Sequence, residues 1–262
     1  MRKPAPAQHR RPAREAGAAA PALNIASLTV RYADILALDR VSLGLEQGNI
    51  CALVGVNGSG KSTLFKAIMG LVSAGTGTVR IFGAGSKAAR KNNLLTYVPQ
   101  SEDVDWTFPV SVHDVVMMGR YGRLGPTRRP HSADREAVDH ALEQVGLTSL
   151  ASRQIGELSG GQRKRAFVAR GIAQQARLML LDEPFAGVDK GSEATLTSLL
   201  QRLRADGKTI LISTHDLAGI PRFCDEAVLL HRSVLAHGDP AEVLTTENLA
   251  RAFGEGATSG AA

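Results

Sequence analysis

The run Gly55-Val56-Asn57-Gly58-Ser59-Gly60-Lys61-Ser62-Thr63 limits what this chain can fold into more than any other stretch. It follows the apolar segment Ile50-Cys51-Ala52-Leu53-Val54 and has the spacing of a phosphate-binding loop. Glycines let backbone N–H groups converge on phosphate oxygens, and a helix starting at Lys61 would add the positive end of its dipole. Gly55, Asn57, Gly58, Ser59 and Gly60 are therefore read as the cradle of a nucleoside triphosphate. Lys61 reaches its β and γ phosphates, Ser62 holds Mg²⁺, and Thr63 lies beside it. A buried strand, a tight loop and a helix must occur here in that order.

A second apolar run, Leu178-Met179-Leu180-Leu181, ends in Asp182-Glu183-Pro184. Side chains alternate along a strand, so the two carboxylates should face different ways and do different work. Asp182 is assigned to the Mg²⁺ shell and Glu183 to the attacking water, as general base.

The hydrophobic pattern predicts strands at Leu23–Val30, Val41–Leu45, Ile50–Val56, Thr78–Phe82 and Leu94–Val98. A mostly helical stretch from Val112 to Gln174 follows, interrupted by Pro126 and Pro130. Strands then return at Leu178–Leu181, Thr209–Ser213 and Ala227–Leu230, with a helix over Ser192–Arg204. The expected class is α/β: a mostly parallel core sheet, an antiparallel β-layer, and a helical subdomain over about residues 101–174. Residues 1–21, rich in Ala, Pro and Arg, are expected to be a disordered basic tail, 22–254 the folded domain, and 255–262 a flexible end.

The net charge of +6 raises the question of nucleic acid. Arg2, Lys3, Arg10, Arg11 and Arg14 against Glu15 account for most of it, so the body is nearly balanced and no nucleic-acid partner is expected. No apolar run is long enough to span a bilayer. Cys51 and Cys224 fit no metal-ligand spacing and give little reason to expect a disulfide, which points to a reducing cytoplasm. His113, His131, His140, His231 and His237 also lack ligand-like spacing and are read as surface or core residues.

Leu158-Ser159-Gly160-Gly161-Gln162 resembles the signature motif of ABC-type ATPases, and the resemblance extends over Leu23 to Gly254. Tyr32 resembles the aromatic that stacks on adenine, and Gln100 the Q-loop glutamine, a Mg²⁺ ligand near the reacting phosphate. Asp189 resembles the D-loop aspartate and His215 the switch histidine. Val56 stands where many relatives carry proline, and Arg163-Lys164-Arg165 is more basic than the commonest versions. The resemblance implies an ABC-type P-loop ATPase that uses ATP and Mg²⁺. Ser159, Gly160, Gly161 and Gln162 of one copy would then grip the nucleotide held by the loop of the other, in a head-to-tail homodimer.

Val104-Asp105-Trp106-Thr107-Phe108-Pro109-Val110-Ser111-Val112, continuing through Asp114 to Gly122, resembles the corresponding stretch of metal-importer ATPase subunits. That implies a polytopic membrane permease as partner and a peripheral position on the cytoplasmic face of the membrane. It also implies an extracytoplasmic metal-binding protein, and manganese, zinc or iron as cargo. Trp106, Phe108, Met117, Met118 and Tyr121 would supply the docking cleft. An importer of haem or iron chelates and an exporter ATPase subunit are the alternatives.

Overall fold

The computed structural model describes residues 20–100, 109–125 and 127–254. The chain opens with β1 (Leu23–Tyr32), β2 (Ile35–Leu45) and β3 (Ile50–Val54), and then α1 (Lys61–Ile68). β4 (Thr76–Ile81), β5 (Ala84–Gly85), α2 (Ser86–Lys91) and β6 (Leu95–Val98) follow. The helical lobe contains α3 (Val112–Met117), α4 (Ser132–Gln144) and α5 (Gly160–Ala173). The chain then returns to β7 (Leu178–Asp182), α6 (Lys190–Ala205), β8 (Thr209–Ser213) and α7 (Ile220–Phe223). It closes with β9 (Glu226–His231), β10 (Ser233–Gly238), α8 (Pro240–Val243) and α9 (Thr246–Phe253).

The strands form two sheets, ordered β2-β1-β4-β5 and β10-β9-β3-β8-β7-β6. In the first, β1 pairs antiparallel with both β2 and β4. In the second, every pair from β9 to β6 is parallel, and β10 adds an antiparallel edge. The expected parallel core and antiparallel layer are both present.

Alternation explains why the central strands are almost continuously apolar. Cys51, Leu53, Leu178, Leu180 and Leu211 face a core shared with the antiparallel sheet and α1. Ile50, Ala52, Val54, Met179, Leu181, Ile210 and Ile212 face a second core shared with α5, α6 and the helical lobe. A sheet covered on both sides takes mostly apolar side chains along its central strands. Its chemistry is therefore carried at the strand ends.

The alternation of β1 is interrupted where the sequence pattern predicts regularity. Leu23 and Ile25 are buried, then Leu28 and Val30, because Ser27 turns through a φ of 49° and shifts the register. A Cβ on Gly77 of the facing strand would lie 2.5 Å from Ser27 O, so the bulge needs glycine opposite it.

Other differences are of extent. β3 ends at Val54, not Val56, because Gly55 begins the loop. Among the described residues the helical stretch is three separate α-helices joined by short 3₁₀ turns, and Arg120 ties them: its guanidinium contacts Asp134 of α4 at 2.9 Å and donates to Ala173 O of α5 at 2.9 Å. β5, β10, α2, α7, α8 and α9 are absent from the sequence-based expectation; most are only a few residues long. The tail segments 1–19 and 255–262 and residues 101–108, including Trp106 and Phe108, lie outside the described residues.

Candidate nucleotide site

The loop between β3 and α1 needs glycine at two places. A Cβ on Gly55 would sit 2.3 Å from Leu230 O and 2.5 Å from Ser59 Oγ. Gly60, the residue before α1, has φ 103°, and a Cβ there would lie 2.9 Å from Ala37 O. Glycine lets the loop close against β2 and β9 and present α1 end-on. No side chain caps α1 and its first turn carries no acid. α5 and α6 are instead capped by Ser159 and Asp189.

Lys61 is buried and folds back on the loop, donating to Gly55 O at 2.7 Å and Val56 O at 3.3 Å. Burial lowers its ammonium pKa, and the nearby Glu183 and Asp182 carboxylates act in the opposite direction.

Asp182 is the last residue of β7 and lies opposite Ser213 of β8. Its Oδ2 accepts from Ser62 Oγ at 3.3 Å and Tyr97 OH at 3.1 Å, and its Oδ1 accepts from Ser213 Oγ at 2.5 Å. At Glu183 the chain swings away with φ 46°, a strained value for a non-glycine residue. Its backbone N–H donates to Ser213 Oγ at 2.9 Å. Glu183 Oε2 accepts from Gln100 Nε2 at 2.8 Å and lies 3.5 Å from His215 Nδ1. The two carboxylates thus contact different partners, as alternation implied.

One cleft is lined by Asn57, Gly58, Gly60, Lys61, Ser62, Thr63, Gln100 and Glu183, together with Ile35 and Arg232. His215 lines an adjoining cleft that shares Glu183. Tyr32 is not among the lining residues; it pairs with Ile35, which is. Ser59 Oγ is buried and, among the described residues, has no hydrogen-bond partner. An ammonium, an uncapped glycine-lined helix start and a Ser62–Asp182 pair fit a nucleoside triphosphate with Mg²⁺.

The signature residues do not join this cleft. Ser159 caps α5 by accepting from Gln162 N, while Gln162 Oε1 accepts from Ser159 N at 2.9 Å. Gly161 packs on the start of α6, where a Cβ would be 2.6 Å from Ser192 Oγ. Asp189 accepts from Ser192 N and Oγ at 3.0 and 2.7 Å, and these bonds, chiefly the one to the hydroxyl, hold its carboxyl pKa down.

Ser213 and Tyr97 escaped the sequence reading as site residues. A serine ending an apolar strand has no pattern of its own; only its pairing with Asp182 reveals it. The basic run after the signature also acquires roles. Arg163 donates to Leu158 O and Gly156 O, both at 2.9 Å, and Lys164 Nζ donates to Gln100 O.

A parallel sheet with a phosphate loop at its carboxyl edge and an acidic pair one strand beyond the neighbouring strand defines the chain as a P-loop nucleoside-triphosphatase. Residues 22–186 match the model of the ABC transporter family, and the chain belongs to that family as an ATP-hydrolysing cassette. A manganese transport system ATP-binding protein of Synechocystis is 53% identical over 233 residues, covering 88% of this chain and 90% of the relative. A chelated iron transport system protein of Yersinia pestis is 53% identical over 235 residues, covering 89% and 79%. An inward-facing metal-chelate type ABC transporter superposes with TM-score 0.79 at 31% identity, covering 89% of each chain. Among the described residues no helix is long and apolar enough to cross a membrane.

Proposed function

We propose that this chain is the ATPase subunit of an importer for a divalent transition metal, manganese, zinc or iron, and that it works as a head-to-tail homodimer on a separate permease. The observation that carries the motor assignment is the contact of Glu183 with both Gln100 and His215, beside Lys61 and apart from the signature. Lys61 and the loop N–H groups grip the phosphates, and Tyr32 stacks on the adenine. Ser62, Asp182 and Gln100 would hold Mg²⁺, which when bound neutralises phosphate charge. Glu183 takes the proton of the attacking water, and His215 contacts the γ-phosphate side of the cleft.

Ser159, Gly160, Gly161, Gln162 and Asp189 face the partner's nucleotide in this reading. That accounts for two phosphate-binding helix starts in a chain with one phosphate loop. ATP then holds the dimer closed, and hydrolysis opens it. The manganese and chelated-iron systems of the relatives support the cargo. Exposed Met118 and Tyr121 fit the proposed docking surface on the permease.

Elemental mass spectrometry of a deletion strain under metal limitation tests the cargo. Cell-associated manganese, zinc or iron should fall, and return with the wild-type gene but not with Glu183→Gln. Unchanged content of all three metals in a strain without a second importer would reject it.

A further inference from the structure

At the opposite ends of the strands that carry the nucleotide site, the central sheet gathers three side chains that the ATPase chemistry does not use. Cys51 is near the start of β3, Glu226 opens β9, and His237 is near the end of β10. In the sheet register Cys51 is paired with Glu226, and His237 with Val228, two residues along β9. Residues two apart share a face, so all three side chains project from the same side. Their Sγ, carboxylate oxygen and ring nitrogen lie within 4.8 Å of one another.

The cluster is already oriented. Glu226 Oε2 contacts His237 Nε2 at 2.8 Å, and Oε1 accepts from Asn49 Nδ2 at 2.6 Å. Cys51 is fully buried, while the Glu226 and His237 side chains are 19% and 20% exposed, which leaves a route in from solvent.

We propose that Cys51, Glu226 and His237 form a second metal site, one that takes a zinc-like divalent cation and is separate from the Mg²⁺ position beside ATP. Thiolate, imidazole and carboxylate suit a borderline-soft ion, whereas Mg²⁺ and Mn²⁺ favour sets made of oxygen. Two ligands at zinc distances in tetrahedral geometry stand roughly 3.3 Å apart, so the Glu226–His237 pair needs to open by only about 0.5 Å. Three protein ligands leave the fourth position to water.

On binding, the Cys51 S–H bond breaks, a sulfur–metal bond forms, and the proton leaves to bulk water. His237 exchanges tautomer: the Nε2 proton that meets Glu226 Oε2 leaves to water, Nδ1 carries the one ring proton, and the freed Nε2 lone pair binds the ion. Burial pushes the Cys51 thiol pKa well up, and the charges of Glu226, Cys224 and Asp225 add to this. Proton and metal therefore compete, and affinity should rise with pH. The ion would join β3, β9 and edge strand β10. The turn of that β9–β10 hairpin touches the phosphate loop, where Arg232 N donates to Ser59 O at 2.8 Å.

Co²⁺ titration of the reduced full-length chain provides the test, read by the thiolate-to-cobalt charge-transfer band. One equivalent should bind, and Zn²⁺ should displace it. Cys51→Ser and His237→Ala should each remove the band and weaken Zn²⁺ binding more than about 100-fold, beyond the usual loss for a supporting residue. Cys224→Ser and Asp182→Asn should keep it, separating this site from the other thiol and from the nucleotide cleft. Zn²⁺ should also raise the melting temperature of the wild type but not of His237→Ala, whose part-exposed position keeps the test available if the Cys51 variant does not fold. No band, or a band that survives either ligand change, overturns the proposal.

Discussion

Ser213 bonds to Asp182 across two paired strands: its Oγ donates to the carboxylate at 2.5 Å and accepts from the Glu183 backbone N–H at 2.9 Å. One hydroxyl thus orients the proposed Mg²⁺ ligand and anchors the strained residue that carries the proposed general base. Ser213→Ala removes both contacts from a fully buried position. It should cost about 1–3 kcal/mol of stability, the usual penalty for leaving a buried polar group unsatisfied. It should also lower kcat more than it raises the dissociation constant for ATP. Urea denaturation together with steady-state ATPase assays checks both parts; a fully active, equally stable variant contradicts the role.

Lys61→Ala should abolish tight ATP binding, because the cleft loses the ammonium that faces the phosphates. Its pKa is lowered by burial, so the wild-type affinity for ATP should fall as pH rises through that lowered value, earlier than an ordinary lysine would allow. The nucleotide-free fold should change in the opposite sense. Between the lowered folded pKa and the ordinary unfolded one the unfolded chain binds more protons, so stability rises with pH. Fluorescent-nucleotide titrations and denaturation at several alkaline pH values, with Lys61→Met as reference, measure each trend.

Glu183→Gln should keep ATP affinity but slow hydrolysis by at least about 10²-fold, the lower range for loss of a general base. The amide can still meet Gln100, so the local fold should survive. With Mg-ATP this variant should accumulate as a dimer on gel filtration. A variant that stays monomeric even with the permease would remove the support for the sandwich.

Ser159→Arg places bulk and charge at the start of α5, outside the cleft of its own chain. A damaged signature acts only on the partner's nucleotide in a head-to-tail dimer. A mixed dimer with one wild-type subunit should therefore retain at most one working site. Single-turnover hydrolysis in tandem-purified mixed dimers reads the number of sites; two working sites would refute the geometry.

Local order was enough to read the motor. Gly55 to Thr63 needs a buried strand before it and a helix after it, and both are present, with α1 beginning at Lys61. The apolar runs ending at Val54, Asp182 and Ser213 announced central strands because only a sheet covered on both faces tolerates such continuity. The signature and the acidic pair were likewise legible as motifs, since each is a contiguous run of residue types. Contacts between residues far apart in sequence were decided by the tertiary structure alone. Strand pairing put Ser213 on Asp182, helix packing put Lys164 on the Gln100 carbonyl, and an edge hairpin brought His237 to Cys51 and Glu226. Ser213, Lys164 and His237 carry no signal in isolation. A hydroxyl, an ammonium or an imidazole becomes specific only when the backbone sets its distance to a partner, and across a sheet that distance depends on register and strand order, which no local pattern encodes.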